Sequence, residues 1–220
     1  VDERKMPGAQ WFEGARLNFA ENLLKRRDQH TAIIFYNEDT EPLKWTYKRL
    51  YQEVAAAATG LRKLGVTTGD SVAGFIPNIP QAIVAMLAST SLGAVWSSCS
   101  PDFGIKGVLD RLGQIEPKVL FVADGYIFKG KHFDSLRRVK DIAQKLPSLR
   151  KVVVVPYASD NPDIDSVAQA VGYDDFCSFD QAIEVSFVQL PFSHPLYIMF
   201  TSGTTGLPKC MVQSAGGVLI

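Results

Sequence analysis

The sequence predicts an α/β protein in which parallel-rich sheets are layered with helices. Strand-like and helix-like segments alternate at least four times between residues 31 and 155, which is the pattern of a parallel sheet covered on both faces. Residues 151–155 include four consecutive valines, which are typical of a strand buried on both sides. Two of the helix-like segments end at a glycine, Gly65 or Gly93, as helices commonly do.

Hydrophobic periodicity and turn residues place the individual elements. Short apolar runs bounded by turns predict strands, and the polar turn 37–42 predicts a hairpin between the strands on either side of it. Residues 156–190 interrupt the alternation with a turn-rich insert and a short helix led by 174–179. Thr46 is the predicted N-cap of a helix whose apolar face is Leu50, Val54, Ala57, Leu61 and Leu64. The predicted strands are 31–36, 43–45, 71–76, 94–97, 118–123 and 151–155, and the predicted helices are 20–27, 47–64, 77–92, 102–115 and 135–146, the last with Asp134 as its cap.

The composition argues against several classes of function. Lysine and arginine together number 23, as do aspartate and glutamate, so there is no basic surplus to attract nucleic acid or an anionic membrane. No apolar run approaches the ~20 residues of a membrane span, and the charged N-terminus is unlike a signal peptide. The first residue is not Met, which is expected of an excised or incomplete chain.

Cysteine and histidine usage predicts neither disulfides nor a metal site. Cys99, Cys177 and Cys210 are odd in number and widely spaced, which favours a reducing, cytosolic environment. His30, His132 and His194 are scattered, so we expect surface or packing histidines rather than ligands. The acidic pair Asp174 and Asp175 has no third ligand near it in sequence and is expected at the surface.

A cluster of hydroxyl, glycine and lysine residues at 201–209 carries the strongest functional signal. It lies between the apolar run 196–200 and residues 210–212, which are both predicted to be strands. Glycines let the backbone approach a ligand, successive N–H groups in such a turn attract anions, and hydroxyls donate to phosphate oxygens. Lys209 adds a movable positive charge. The predicted ATP phosphate-binding residues are Thr201, Ser202, Gly203, Thr204, Thr205, Gly206 and Lys209.

The 201–209 loop differs from the Walker type of nucleotide loop. That type places its lysine directly after a glycine at the start of a helix, whereas Lys209 follows a proline and precedes a predicted strand. The alternative for such a cluster is a flexible Ser/Thr/Gly linker, since most clusters of these residues are loops without function. The complete string, with its apolar approach and its Pro-Lys end, favours the phosphate-binding loop.

The string 201–209 resembles the signature loop of the adenylate-forming enzymes, which include acyl-CoA synthetases, luciferases and peptide-synthetase adenylation domains. Three more stretches, 11–24, 96–104 and 190–196, resemble the acetoacetate-activating acyl-CoA synthetases, so the likeness covers almost the whole chain. The resemblance implies the N-terminal part of the adenylate-forming enzyme fold. Residues 1–30 are then the lead-in segment, and 31–220 are the AMP-binding (adenylation) domain, truncated after the phosphate loop.

The resemblance also implies an acid–thiol ligase with acetoacetate, ATP and coenzyme A as substrates and Mg²⁺ as cofactor. An acyl-adenylate forms with release of pyrophosphate, and coenzyme A then displaces AMP. In the family, the ribose, magnesium and α-phosphate contacts come from later residues. We therefore expect no catalytic residue within this chain, and no acyl-CoA synthesis by residues 1–220 alone.

A second site is expected at Lys129, Gly130 and Lys131. Related acetyl-CoA synthetases carry a basic, glycine-containing turn at about this place, where it contacts the nucleotide of coenzyme A. The alternative is an ordinary solvated basic turn.

The sequence is compatible with three functions. The first is an acetoacetate–CoA ligase, and the second is another short-chain acyl-CoA synthetase that acts on acetate or propionate. The third is a non-catalytic nucleotide-binding module.

Overall fold

The computed structural model describes residues 5, 8–38, 40–177, 184–201 and 206–220. Strands and helices alternate along most of the chain. The strands are β1 Arg16–Leu17, β2 Thr31–Phe35, β3 Leu43–Thr46, β4 Ser71–Phe75, β5 Val95–Cys99, β6 Val119–Ala123, β7 Gly125–Phe128, β8 Lys131–Asp134, β9 Lys151–Val155, β10 Ala170–Gly172, β11 Leu190–Pro191, β12 Pro195–Phe200 and β13 Cys210–Ser214. The helices are α1 Phe19–Leu23, α2 Tyr47–Lys63, α3 Pro80–Ser91, α4 Ile105–Leu112, α5 Leu136–Gln144, α6 Tyr173–Phe176 and α7 Ala215–Leu219.

A seven-stranded sheet with the order β10-β9-β6-β4-β5-β12-β13 forms the centre of the molecule. Neighbouring strands from β10 to β12 are parallel, whereas β13 pairs antiparallel with β12. Three two-stranded sheets, β1-β11, β2-β3 and β7-β8, lie outside it. The predicted parallel sheet is therefore confirmed, with an antiparallel strand at one edge.

The two faces of the sheet are covered by different helices. On β9, Val153 and Val155 pack into the hydrophobic cluster that includes α2 and α3. Val152 and Val154 point to the opposite face, where they join α4 and α5. All four valines are fully buried, and each such side chain contributes roughly 1.5–3 kcal/mol to folding. The prediction of a strand buried on both faces is confirmed.

Local sequence signals fix the ends of the long helices. The Thr46 hydroxyl accepts a hydrogen bond from the Arg49 amide at 3.1 Å, so Thr46 is the N-cap of α2 as predicted. Gly65 and Gly93, which follow α2 and α3, have φ of 72° and 76°, in the left-handed region that glycine tolerates. No helix of the described residues is both long and apolar enough to cross a membrane.

Several predicted boundaries were wrong. The helix predicted over 102–115 is only Ile105–Leu112, because Ser100 to Phe103 form a turn closed by a 3.2 Å hydrogen bond. The helices predicted over 20–27, 77–92 and 135–146 are also shorter, and the residues led by Asp174 form a single helical turn, Tyr173–Phe176. Asp134 accepts from the Leu136 amide, but it ends β8, and Ser135 holds the N-cap position. The strands β1, β7, β8, β10 and β11 were not predicted.

Candidate functional site

The 201–209 loop connects β12 to β13 at one end of the central sheet. Phe200 pairs with Cys210, and the Thr201 amide donates to the Lys209 carbonyl at 3.1 Å, so the two arms of the loop are held together at its base. This confirms the predicted strand–loop–strand arrangement. The hydroxyl and glycine residues Ser202, Gly203, Thr204 and Thr205 lie outside the described residues.

The described loop residues combine an exposed charge with an unusual backbone. Lys209 is exposed, and Thr201 is half-buried. Gly206 has φ of 116°, a conformation that side chains rarely adopt, and among the described residues no atom beyond its chain neighbours lies within 4 Å of where a Cβ would stand. A ligand can therefore approach the backbone closely at Gly206, with the Lys209 ammonium group available on the same loop.

The loop leaves the sheet at the carboxyl ends of parallel strands. Tyr197 of β12 pairs in parallel with Trp96 of β5, and the Ser97 hydroxyl donates to the Ile198 carbonyl at 2.8 Å. In open α/β sheets, ligands bind at this edge, outside the carboxyl ends of the strands. The fold thus places the 201–209 loop where nucleotide and substrate sites usually occur.

A cavity of about 560 Å³ opens between the ends of β5 and β12. Trp96, Phe103 and Tyr197 supply apolar walls, and Ser98, Ser100 and Arg111 supply polar groups. The Arg111 guanidinium lies 4.5 Å from the centre of the Phe103 ring, and one of its nitrogens donates to the Gly107 carbonyl at 2.7 Å. Arg111 therefore brings a fixed positive charge to the wall of the cavity, and sequence reasoning missed it because nothing local distinguishes this arginine.

The buried thiol beside the cavity is unreactive. Burial raises the pKa of Cys99 to about 11, although the nearby charge of Arg111 opposes the rise. Burial likewise raises the pKa of Cys177, to about 12. Both groups are protonated near neutral pH and are poor nucleophiles. The site is therefore suited to binding and alignment rather than to covalent catalysis by cysteine.

A buried carboxylate at the same edge of the sheet has a structural role. Asp124 follows β6 and is only 5% exposed. Its two oxygens accept hydrogen bonds from the backbone amides of Tyr157, Ala158 and Ser159, at 2.8, 2.9 and 2.8 Å. These bonds occupy both carboxylate oxygens and fix the segment that follows β9. We therefore assign Asp124 to the fold and not to the chemistry.

The predicted coenzyme A residues Lys129, Gly130 and Lys131 lie on a different element. Lys129 and Gly130 form the tip of the β7–β8 hairpin, with φ of 52° and 67°, and Lys131 begins β8. Both tip amides donate to the Glu38 carboxylate, at 3.0 and 2.7 Å. The hydrogen bond from the Gly130 amide contributes most to lowering the pKa of Glu38, and the bond from the Lys129 amide contributes next. The turn thus binds an anionic group of this chain itself.

The described residues do not form a metal centre. No three His, Cys, Asp or Glu side chains of this part of the chain come together in a way that could hold an ion. His194 contacts the Gly93 carbonyl at 2.9 Å, and His30 lies 3.0 Å from Asp28. Asp174 and Asp175 are exposed on α6. We therefore assign none of the described residues to Mg²⁺.

Comparison with known proteins identifies the class of enzyme to which the chain belongs. Residues 19–220 match the family model "AMP-binding enzyme", and the chain belongs to this family. Within it, the chain is similar to acetoacetyl-CoA synthetases.

Three relatives illustrate this similarity. The chain is 49% identical over 218 residues to acetoacetyl-CoA synthetase of Gallus gallus, a match covering 96% of this chain and 33% of that protein. It is 48% identical over 221 residues to acetoacetyl-coenzyme A synthetase of Rhizobium meliloti (strain 1021), covering 100% of this chain and 34% of that protein. A solved structure of acetoacetyl-CoA synthetase from Streptomyces lividans matches with a TM-score of 0.89 and 45% identity, over 97% of this chain and 33% of that one. The chain therefore spans about a third of the length of the curated relatives it matches.

Proposed function

We propose that the complete protein carrying this sequence activates acetoacetate to acetoacetyl-CoA at the expense of ATP, through an acyl-adenylate. The observation that carries the proposal is the similarity at 45–49% identity, over nearly the whole chain, to proteins named acetoacetyl-CoA synthetase. The position of the 201–209 loop at the carboxyl edge of the sheet supports a nucleotide site there. We infer that residues 1–30 act as a lead-in segment to an AMP-binding domain formed by 31–220.

The first half-reaction joins a poor nucleophile to a highly charged substrate. One oxygen of the acetoacetate carboxylate attacks the α-phosphorus of ATP, and the bond from that phosphorus to the bridging oxygen breaks. The electron pair of that broken bond leaves with pyrophosphate. Alignment and charge neutralisation therefore supply most of the rate acceleration. In the proposal, Lys209 and the amides and hydroxyls of 201–206 hold the departing phosphates.

Mg²⁺ neutralises phosphate charge when it accompanies ATP. We propose that it acts on the phosphates of ATP, and we assign none of the described residues to it. In this chain, the loop contributes donors and the Lys209 ammonium group, and no residue is assigned as nucleophile or general base. The proposed role of 201–209 is therefore to bind and orient.

In the second half-reaction, the thiol of coenzyme A loses its proton and its sulfur attacks the acyl carbon. The bond from that carbon to the phosphate oxygen breaks, and AMP leaves with the electron pair. We propose that the Lys129–Lys131 turn contacts the nucleotide part of coenzyme A. Its two tip amides already bind a carboxylate, so they can bind another anionic oxygen if Glu38 moves away. We place the protein in the cytosol, and the three free cysteines support a reducing compartment.

A panel of acids tests the proposed substrate. Purified complete protein is given ATP, Mg²⁺ and labelled pyrophosphate with acetoacetate, acetate or propionate, and exchange into ATP is measured. We expect acetoacetate to give the highest kcat/KM. A clear preference for acetate or propionate would indicate a different short-chain acyl-CoA synthetase, and no exchange with any acid would favour a non-catalytic nucleotide-binding module.

A further inference from the structure

Gln114 lies outside the 201–209 loop and yet contacts both sides of Lys209. It follows α4, just after the C-cap residue Gly113. Its Nε2 atom donates to the Pro208 carbonyl at 3.0 Å, and its Oε1 atom accepts from the Cys210 thiol at 3.7 Å. One amide side chain therefore bonds to the residue before Lys209 and to the residue after it.

The amide of Gln114 is itself held firmly on the scaffold. The Gln114 backbone amide donates to the Arg111 carbonyl at 3.1 Å, and Nε2 donates a second bond to the Asp110 carbonyl at 2.6 Å. The helix that carries these groups is anchored by Val108 and Leu112, which are both fully buried. Both donors and the acceptor of the amide are thus engaged, although Gln114 itself lies at the surface.

Gln114 adds a second contact to the arm of the loop that carries Lys209. On the first arm, the Thr201 amide bonds to the Lys209 carbonyl. Pro208 has no backbone N–H, so its carbonyl is the only backbone group through which it can form a hydrogen bond. Gln114 uses that carbonyl. The backbone at Lys209 is thus bonded through its own carbonyl and through the carbonyl of the residue before it.

We propose that Gln114 is a positioning residue that fixes Lys209 for the phosphates of ATP. The proposal rests on the proposed function, because it presupposes that Lys209 binds ATP. Gln114 itself touches no substrate. Loss of one neutral hydrogen bond of this kind changes an equilibrium by roughly fivefold, so we expect an effect of that size on the binding of ATP.

Two variants of the complete protein test the proposal. Gln114→Met keeps the length of the side chain and removes all its hydrogen bonds. Gln114→Glu keeps an acceptor for Cys210 but removes the donor to Pro208. The matched control is Gln144→Met, an exposed glutamine at the end of α5. We measure the KM for ATP, the KM for acetoacetate, kcat in pyrophosphate exchange and the thermal midpoint.

In both variants we expect the KM for ATP to rise about fivefold. We expect the KM for acetoacetate and the thermal midpoint to stay at the wild-type values, and the control to match wild type throughout. A wild-type KM for ATP in Gln114→Met would overturn the proposal. So would an equal rise of both KM values with a lowered midpoint, because that pattern belongs to a general loss of structure.

Failure of the proposed function gives a different result. Lys209→Ala is assayed beside these variants. Unchanged exchange in Lys209→Ala would reject the loop as the ATP phosphate site. Slow exchange in Lys209→Ala with wild-type values in Gln114→Met would reject only the role of Gln114.

Discussion

Asn18 joins three segments of the chain through one buried side chain. Its Nδ2 atom lies 3.2, 3.0 and 2.9 Å from the carbonyl oxygens of Thr90, Ser91 and Val188, and its Oδ1 atom accepts from the Glu21 amide at 3.1 Å. The last contact makes Asn18 the N-cap of α1. The Thr90 and Ser91 carbonyls also accept from the Gly93 and Val188 amides, so Asn18 adds to an existing network of hydrogen bonds. Asn18 therefore attaches the N-terminal segment to the end of α3.

We predict that Asn18→Ala lowers the free energy of unfolding by about 2–4 kcal/mol, because it removes both the cap and the hydrogen bonds that Nδ2 donates to the neighbouring segments. Chemical denaturation followed by circular dichroism measures the loss. Asn22→Ala is the matched control on the same helix, since Asn22 is exposed, and we expect it to stay within about 0.5 kcal/mol of wild type. Equal stabilities for the two variants would contradict the role given to Asn18.

At the scale of elements, α2 can pack closely because one of its residues is glycine. A Cβ added at Gly60 would stand 2.6 Å from the Phe176 carbonyl oxygen and 2.8 Å from its ring. Phe176 is buried in α6 and packs edge-on against Phe121 of the central sheet, with ring centres 5.6 Å apart. Gly60 thus lets α6 reach the sheet beside α2.

We predict that Gly60→Ala lowers the free energy of unfolding by about 1–3 kcal/mol, because overpacking outweighs the gain in helix propensity. Gly107→Ala in α4 is the matched control, since its Cβ would meet nothing closer than 3.7 Å. We expect that variant to be about 0.4–1 kcal/mol more stable than wild type. A stabilised Gly60→Ala variant would show that the contact with Phe176 adjusts easily.

The elements that the sequence predicted are those with a strong local signal. Strands β4, β6 and β9 are continuous apolar runs, and α2 has a cap, an apolar face and a terminal glycine. The strands that were missed have weak signals of their own. Arg16–Leu17 is a strand only because it pairs with Leu190–Pro191, far away in the chain, and the β7–β8 hairpin turns at Lys129-Gly130 rather than at a typical Asn-Gly pair. Such elements depend on tertiary pairing, which local patterns do not contain.

At the scale of the whole molecule, one edge of the central sheet is open in the described part of the chain. β13 pairs there only with β12, and its Val212 side chain is 56% exposed. Met199 and Met211, on the same pair of strands, are also exposed. Unpaired edge strands with apolar side chains promote association between chains.

We predict that the polypeptide of residues 1–220 self-associates through β13, and that Val212→Lys raises its monomer fraction because a charge on an edge strand opposes pairing. Sedimentation velocity at several concentrations measures that fraction. Leu23→Lys makes the same change of charge at an exposed residue of α1 and serves as the control. Equal effects of the two substitutions would show that net charge, and not the edge of the sheet, controls association.

The sequence predicted the chemistry of the candidate site, but it did not predict which distant residues contact the loop and the neighbouring cavity. Glycines, hydroxyls and Lys209 between two apolar runs indicate a phosphate-binding loop without any structure. Gln114, which bonds to Pro208, lies 94 residues away along the chain, and Arg111 reaches the neighbouring cavity only because β5 and β12 are adjacent. Contacts of this kind follow from the strand order of the sheet, which hydrophobic patterns leave undetermined.

The most direct test of the loop assignment is acetoacetate-driven pyrophosphate exchange in Lys209→Ala of the complete protein. The backbone contact of Lys209 with Thr201 does not involve the side chain, so we expect the fold and thermal midpoint to be preserved. Loss of a charge that stabilises the departing phosphates should slow exchange about a hundredfold or more. Lys145→Ala, at an exposed lysine just after α5, should exchange at the wild-type rate. Exchange within about twofold of wild type in a folded Lys209→Ala protein would contradict the assignment of 201–209 as the ATP phosphate site.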